Sequence, residues 1–265
     1  MKLNEDFYNS EGKTVSLPNI SSKLLHITDS GHISIDFISI SRLRKASKIA
    51  ILGDSVARGL RAEYGFGDIL KDRTNADITN LSVSGVNMSN NGSDNIYQQA
   101  LKTKGHDVII VQGTDDDWCN HIPIGTDEKD ITTFYGGFCQ VIQQLRSGNK
   151  GASIIVVTPT RQAKISKGKI VRRDTDKNKL GLKLADYVKA QKEACTLLSV
   201  PYADLFDTDL IDPYNPAFRS MCMSEGLHPN EKGHQIIFQE ICRNYYYYYG
   251  YDYFRLCFSK SSIIL

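Results

Sequence analysis

Residues 48–59 read Lys48-Ile49-Ala50-Ile51-Leu52-Gly53-Asp54-Ser55-Val56-Ala57-Arg58-Gly59. Four apolar residues in succession, 49–52, read as a short strand buried on both sides, and Gly53 interrupts it. Ser55 then falls where a strand turns into a helix. The same alternation of short β-branched runs with longer amphipathic ones continues along the chain. The strand candidates are 49–52, 78–83, 108–112, 154–158 and a short 202–205, and the helix candidates are 57–71, 94–104, 131–146, 182–198 and 231–245. In the third of these helices Phe134, Phe138, Val141, Ile142 and Leu145 recur at the three-and-four spacing of a core-facing stripe. Strands that are continuously apolar and separated by helices imply a parallel sheet covered on both faces. The expected fold is α/β, a three-layer α/β/α sandwich around a central parallel five-stranded sheet.

The chain has 265 residues, 41% hydrophobic and 23% charged, enough to bury a core without disulfide or metal staples. Its 32 basic and 30 acidic residues leave a net charge of +2, too small for a general nucleic-acid binder. No apolar run approaches the ~20 residues of a spanning helix, so no membrane span is expected. The start, MKLNEDFYNSEGK, lacks the basic flank and apolar stretch of a secretory signal, which points to the cytoplasm and leaves delivery by other routes open. Cysteines 119, 139, 195, 222, 242 and 257 are scattered, as reduced buried thiols would be. Three segments follow: 1–45, an N-terminal extension with some strand, since Ile33, Ile35 and Phe37 alternate with Ser34 and Asp36; 46–249, the main domain; and 250–265, an aromatic and apolar tail. Two stretches stand out. Residues 161–179 hold eight basic side chains against Asp174 and Asp176, a solvated mobile loop or a flap favouring anionic or polar substrates. The five tyrosines 245–249 and the tail after them suit self-association, docking, or no selected role.

In open parallel sheets ligands bind beyond the carboxyl ends of the strands. A nucleophilic serine needs a base, a group to orient that base, and donors for the oxyanion. Ser55 occupies the end of the first strand, as a nucleophile or as a helix cap. His228, in Glu225-Gly226-Leu227-His228-Pro229-Asn230, is kept out of helical dihedrals by Pro229 and reads as a base or as a capping residue of an Asn-Pro turn. Glu225 lies three residues before it and, with Gly226 allowing a bend, can fold back onto the imidazole.

Taken together, residues 48–244 resemble an SGNH hydrolase, also called a GDSL-type esterase or lipase. Gly53-Asp54-Ser55, Asn80-Leu81-Ser82-Val83-Ser84-Gly85, Gly113-Thr114-Asp115-Asp116 and Glu225-Gly226-Leu227-His228 are similar to the family's first, second, third and fifth blocks, in order. The resemblance implies a flavodoxin-like fold, Ser55 as nucleophile, His228 as base, Glu225 as the orienting acid, and an oxyanion hole from Ser55, Gly85 and Asp115. It implies no cofactor and no metal. The G-x-S-x-G elbow of α/β-hydrolases is absent around Ser55. Two positions depart from the pattern: Glu225 replaces an aspartate, and Asp115 replaces an asparagine that donates to the oxyanion. An ionised aspartate cannot donate, and loss of one such donor typically costs about 10²–10³ in kcat. The crowd of Asp54, Asp115, Asp116 and Asp117 can raise one carboxyl's pKa, which would let Asp115 act protonated, and it also offers ligands of the kind Mg²⁺ or Ca²⁺ takes, a reading given less weight than the metal-free one. Asp54 and Trp118 are further candidates for substrate contact, with core packing the alternative for Trp118.

The reading that follows is a serine ester hydrolase acting through an acyl-enzyme on Ser55. Small acyl esters on carbohydrate or similar polar alcohols are favoured over long-chain lipids, because no long apolar insertion flanks the site. The alternative is a catalytically weakened domain used for carbohydrate binding or assembly.

Overall fold

The apolar runs assemble into one sheet because each strand has two buried faces. A computed structural model describes residues 42–250 and, before them, only the backbone of four short strands, β1 (Phe7–Tyr8), β2 (Thr14–Val15), β3 (Leu25–Ile27) and β4 (Ile33–Ile35). These form two antiparallel pairs, β1 with β2 and β3 with β4. Residues 251–265, with Cys257 and the tail, lie outside the described residues. After a 3-10 turn at Arg42–Lys45 come β5 (Lys48–Leu52), α1 (Ser55–Arg58), α2 (Phe66–Arg73), β6 (Asp77–Asn80), α3 (Ile96–Lys102), β7 (Val108–Gln112), α4 (Asp116–Cys119), α5 (Phe134–Gly148) and β8 (Ser153–Val157). There follow β9 (Ala163–Ser166), β10 (Lys169–Arg173), α6 (Leu184–Leu197), β11 (Tyr202–Ala203), α7 (Pro216–Cys222) and α8 (Glu231–Tyr249).

The main sheet runs β11-β8-β7-β5-β6, every pair parallel. Ala50, Leu52, Ile109, Val111, Ile154 and Val156 face one core, built with α3, α5 and α6. Their neighbours Ile49, Ile51, Val108, Ile110, Ile155 and Val157 face the other, built with α1, α2 and α8. Side chains alternate across a strand, so a run without polar residues is what two covered faces require. Fully burying each Ile, Leu or Val contributes about 1.5–3 kcal/mol. The strand order reverses between β5 and β7, and in such sheets that crevice is where ligands bind.

Several elements differ from the sequence reading, three of them where that reading is explicit. The helix expected over 57–71 is two helices, because Gly59 takes a left-handed conformation (φ 78°) that caps α1, and α2 restarts after Gly65, whose N–H donates to Asp68. The basic stretch favoured as a mobile loop is a β-hairpin, β9 and β10, turning at Lys167 and Gly168, both with positive φ. The last helix extends to Tyr249 rather than ending near Tyr245. Tyr245 is buried and Tyr249 donates its hydroxyl to the Ile154 carbonyl, an i, i+4 pair seated on the core.

Candidate active site

Asp54 sits at the N-cap of α1, and its side chain accepts the Val56 N–H at 2.7 Å. Capping therefore falls to the aspartate and leaves the Ser55 hydroxyl free for another partner. That partner is His228, whose Nε2 lies 3.0 Å from Ser55 Oγ across 173 residues of sequence. The nucleophile loop is held from below: Gly53 exchanges two hydrogen bonds with the Gln99 side chain, at 2.9 and 3.0 Å, and the Asp54 N–H donates to Gln112 Oε1 at 3.1 Å.

His228 stands on a closed loop before α8. Its carbonyl accepts the Ser224 N–H at 2.9 Å, and the Asn230 N–H donates to the Cys222 carbonyl at 3.0 Å. Asn230, not His228, caps α8 by accepting the N–H groups of Lys232 and Gly233. The imidazole Nδ1 bonds the Glu225 carboxylate, so both ring nitrogens are engaged in one line, Glu225 to His228 to Ser55. Burial alone would raise the Glu225 carboxyl, but the His228 hydrogen bond and charge, with Arg61 at 3.6 Å, hold it below its ordinary range. Arg61 is largely exposed and its pairing is correspondingly weak.

Gly85 lies on the loop after β6, and a Cβ built on it would meet nothing within 4 Å. No hydrogen bond occupies its N–H among the described residues. Asp115 follows β7, and its Oδ2 accepts three hydrogen bonds: from Gln162 Nε2 at 2.9 Å, Arg172 Nη2 at 3.0 Å and the Cys119 thiol at 3.6 Å. Through Oδ2 the side chain accepts from an amide, a guanidinium and a thiol. The crowding acts on its neighbours. Burial first, then the charges of Asp116 and Asp115, raise Asp54 well above its ordinary value. Burial and then Asp115 push Asp116 up to about 7. Asp117, fully buried and raised to about 6 by that burial, accepts from Met88 N–H and Ser89 and pins the 86–90 loop.

Carboxylate oxygens of Asp54, Asp115 and Asp116 lie within 4.8 Å of one another, a donor set of the kind hard cations take, with Arg172 already on Asp115. Two candidates for substrate contact are not at the surface. Asp54 is fully buried, and Trp118 is a core residue whose Nε1–H donates to the Leu182 carbonyl. The residues that sequence reasoning missed are Gln162 and Arg172, which reach the site from the hairpin. Their signal was the apolar alternation around Lys167-Gly168, short and masked by the surrounding lysines.

The sequence profile of the GDSL-like lipase/acylhydrolase family matches residues 51–236, which span Ser55, Gly85, Asp115, Glu225 and His228. The chain belongs to this family. GDSL-like hydrolases cleave ester bonds, and the chain is an ester-bond hydrolase in that general sense. No curated protein sequence matches it. Among solved structures it is similar to a Lactobacillus plantarum protein at 24% identity and TM-score 0.64, covering 74% of this chain and 94% of that one. It is also similar to a possible lipase from Chitinophaga pinensis, at 20% identity and TM-score 0.59, covering 74% and 96%. A family two carbohydrate esterase from Clostridium thermocellum, solved with cellohexaose, shares the fold at 14% identity and TM-score 0.52, covering 76% of this GDSL-like chain and 64% of that one.

Proposed function

We propose that this GDSL-like hydrolase works through an acyl-enzyme on Ser55. The Oγ attacks the ester carbonyl as its proton passes to His228 Nε2, and Glu225 holds the imidazole in the receiving tautomer and stabilises its charge. The carbonyl electrons move to oxygen, which the N–H groups of Ser55 and Gly85 receive. Collapse expels the alcohol, which takes the proton from the imidazolium. Water then attacks the acyl group with His228 again as base, releasing the carboxylic acid and free Ser55. The observation that carries this reading is the continuous Glu225–His228–Ser55 line, with Nε2 at 3.0 Å from Oγ.

The substrate class proposed is a small acyl group on a carbohydrate or similar polar alcohol. The hairpin flanking Asp115 is polar, with Lys167, Lys169 and Arg173 exposed, and no long apolar insertion borders Ser55 among the described residues. A surface groove of about 650 Å³ along α6, lined by Val188, Leu197, Tyr202 and Phe206 among others, includes none of these catalytic candidates.

A fluorophosphonate probe tests the chemistry. Wild-type protein should be labelled and Ser55→Ala should not, and an ester panel should show acetyl esters of sugars turned over faster than long-chain esters. Absence of labelling across roughly pH 5 to 8 would reject the acyl-enzyme and favour a binding or assembly module built on the same fold.

A further inference from the structure

Around the proposed nucleophile the charge inventory is adverse to the reaction. Asp115 follows β7, the strand paired with the one that leads into Ser55, and its carboxylate lies within 4.8 Å of the Asp54 carboxylate that caps the turn of Ser55. Acyl transfer places a new negative charge on the carbonyl oxygen in this region, and a neighbouring carboxylate opposes it. Among the described residues the cation bonded to this cluster is Arg172.

Each of the three guanidinium nitrogens has a partner. Its Nη2 donates to Asp115 Oδ2 at 3.0 Å, its Nε to Gln162 Oε1 at 2.8 Å and its Nη1 to Cys119 Sγ at 2.9 Å, while its carbon lies 5.7 Å from the centre of the Trp118 ring. Gln162 completes the ring of contacts by donating to the same Asp115 oxygen. The element that delivers both side chains is itself anchored. Gln162 N–H donates to Asp174 Oδ1 at 3.0 Å at the base of the hairpin, and Ala163 and Ile165 N–H groups donate to the carbonyls of Gly226 and Glu225, at 2.8 and 2.7 Å. One hairpin therefore fixes the cation on Asp115 and the loop that carries His228.

We propose that Arg172 is a positioning residue for ester hydrolysis, acting through Asp115: it cancels and orients the carboxylate beside the nucleophile, so that the site runs on an aspartate–arginine pair where a neutral donor would otherwise stand. The inference rests on the acyl-enzyme reading. It makes the requirement for Arg172 conditional on residue 115. With aspartate there, removing the guanidinium leaves an uncompensated charge facing the oxyanion. With asparagine there, the carboxylate that Arg172 bonds is gone and the amide itself can donate.

The experiment is a kinetic double-mutant cycle with Asp115→Asn, Arg172→Met and the double variant, with Arg172→Lys alongside, each read by kcat and KM on an activated acetyl ester and by fluorophosphonate labelling rate. Arg172→Met alone should lower kcat by about 10²-fold with a smaller change in KM, and Arg172→Lys should recover part of the loss. In the Asp115→Asn background the same substitution should cost at least about tenfold less, well outside the additivity of independent sites. The double variant removes both members of the Asp115–Arg172 pair together, so it keeps the test open if Arg172→Met folds poorly. Equal losses in both backgrounds overturn the role of Arg172 and leave the acyl-enzyme intact. A wild-type protein that the probe does not label overturns both.

Discussion

At the scale of single residues, the division of labour around Ser55 shows how side chains that look interchangeable in sequence receive distinct tasks. Either Asp54 or Ser55 is able to cap α1, and either His228 or Asn230 is able to cap α8. The aspartate and the asparagine do so, and the serine and histidine are left facing each other at 3.0 Å. Glu225 in place of a shorter aspartate reaches Nδ1 from a loop bent at Gly226, so the extra methylene is absorbed. If the carboxylate selects the tautomer, Glu225→Gln should lower kcat by between about 10² and 10⁴ with little change in KM. Steady-state kinetics on one activated ester measures this, and a loss below tenfold would assign Glu225 to loop structure instead.

At the scale of elements, the hairpin β9–β10 is the piece that joins the two halves of the site. Its weak point is Gly226, at φ 79°, where an added Cβ would lie 2.1 Å from the Ala163 carbonyl oxygen. Gly226→Ala should therefore push β9 and the His228 loop apart, costing about 1–3 kcal/mol of stability together with a fall in kcat. Thermal unfolding and kinetics on the same sample decide the point, and an unchanged melting temperature would show that the contact relaxes freely. The hairpin is also where sequence reasoning ran short. The strands of the main sheet were legible because burial on two faces leaves uninterrupted apolar runs such as Val108 to Val111. The base loop was legible because Pro229 and Gly226 punctuate it. Residues 163–173 have one half-buried face, carry Ala163, Ile165 and Ile170 on it and an exposed Val171, and read as solvated charge. Nor does local sequence reveal that Arg172 belongs to Asp115, a contact made across 57 residues. Helix α7 was missed although Asn215-Pro216 is a cap followed by proline at the first helical position.

At the scale of the whole molecule, a cluster of acids at the mouth of a parallel sheet makes stability depend on pH. Burial, and after it the charge of Asp115, raises Asp116 from 3.8 to about 7, with Thr114 and Arg172 opposing. Between these two values the folded protein holds a proton that the unfolded chain releases, so this group's contribution is present at low pH and is lost as pH rises through about 7. Buried His234, held near 4 by desolvation, contributes with the opposite sign below neutrality. The clean measurement is therefore a difference. The melting temperature of Asp116→Asn minus that of wild type should grow more positive from pH 5 to pH 8, at roughly 2–4 °C per kcal/mol, and a constant difference would contradict the assignment. Among the described residues no helix is long and apolar enough to cross a bilayer. The burial of Trp118 has an optical consequence. It is the sole tryptophan of the chain, and the guanidinium carbon of Arg172 lies over its ring at 5.7 Å from the centroid. Emission excited at wavelengths that only tryptophan absorbs should therefore shift when that arginine is unseated, a readout available in every variant and without an attached dye.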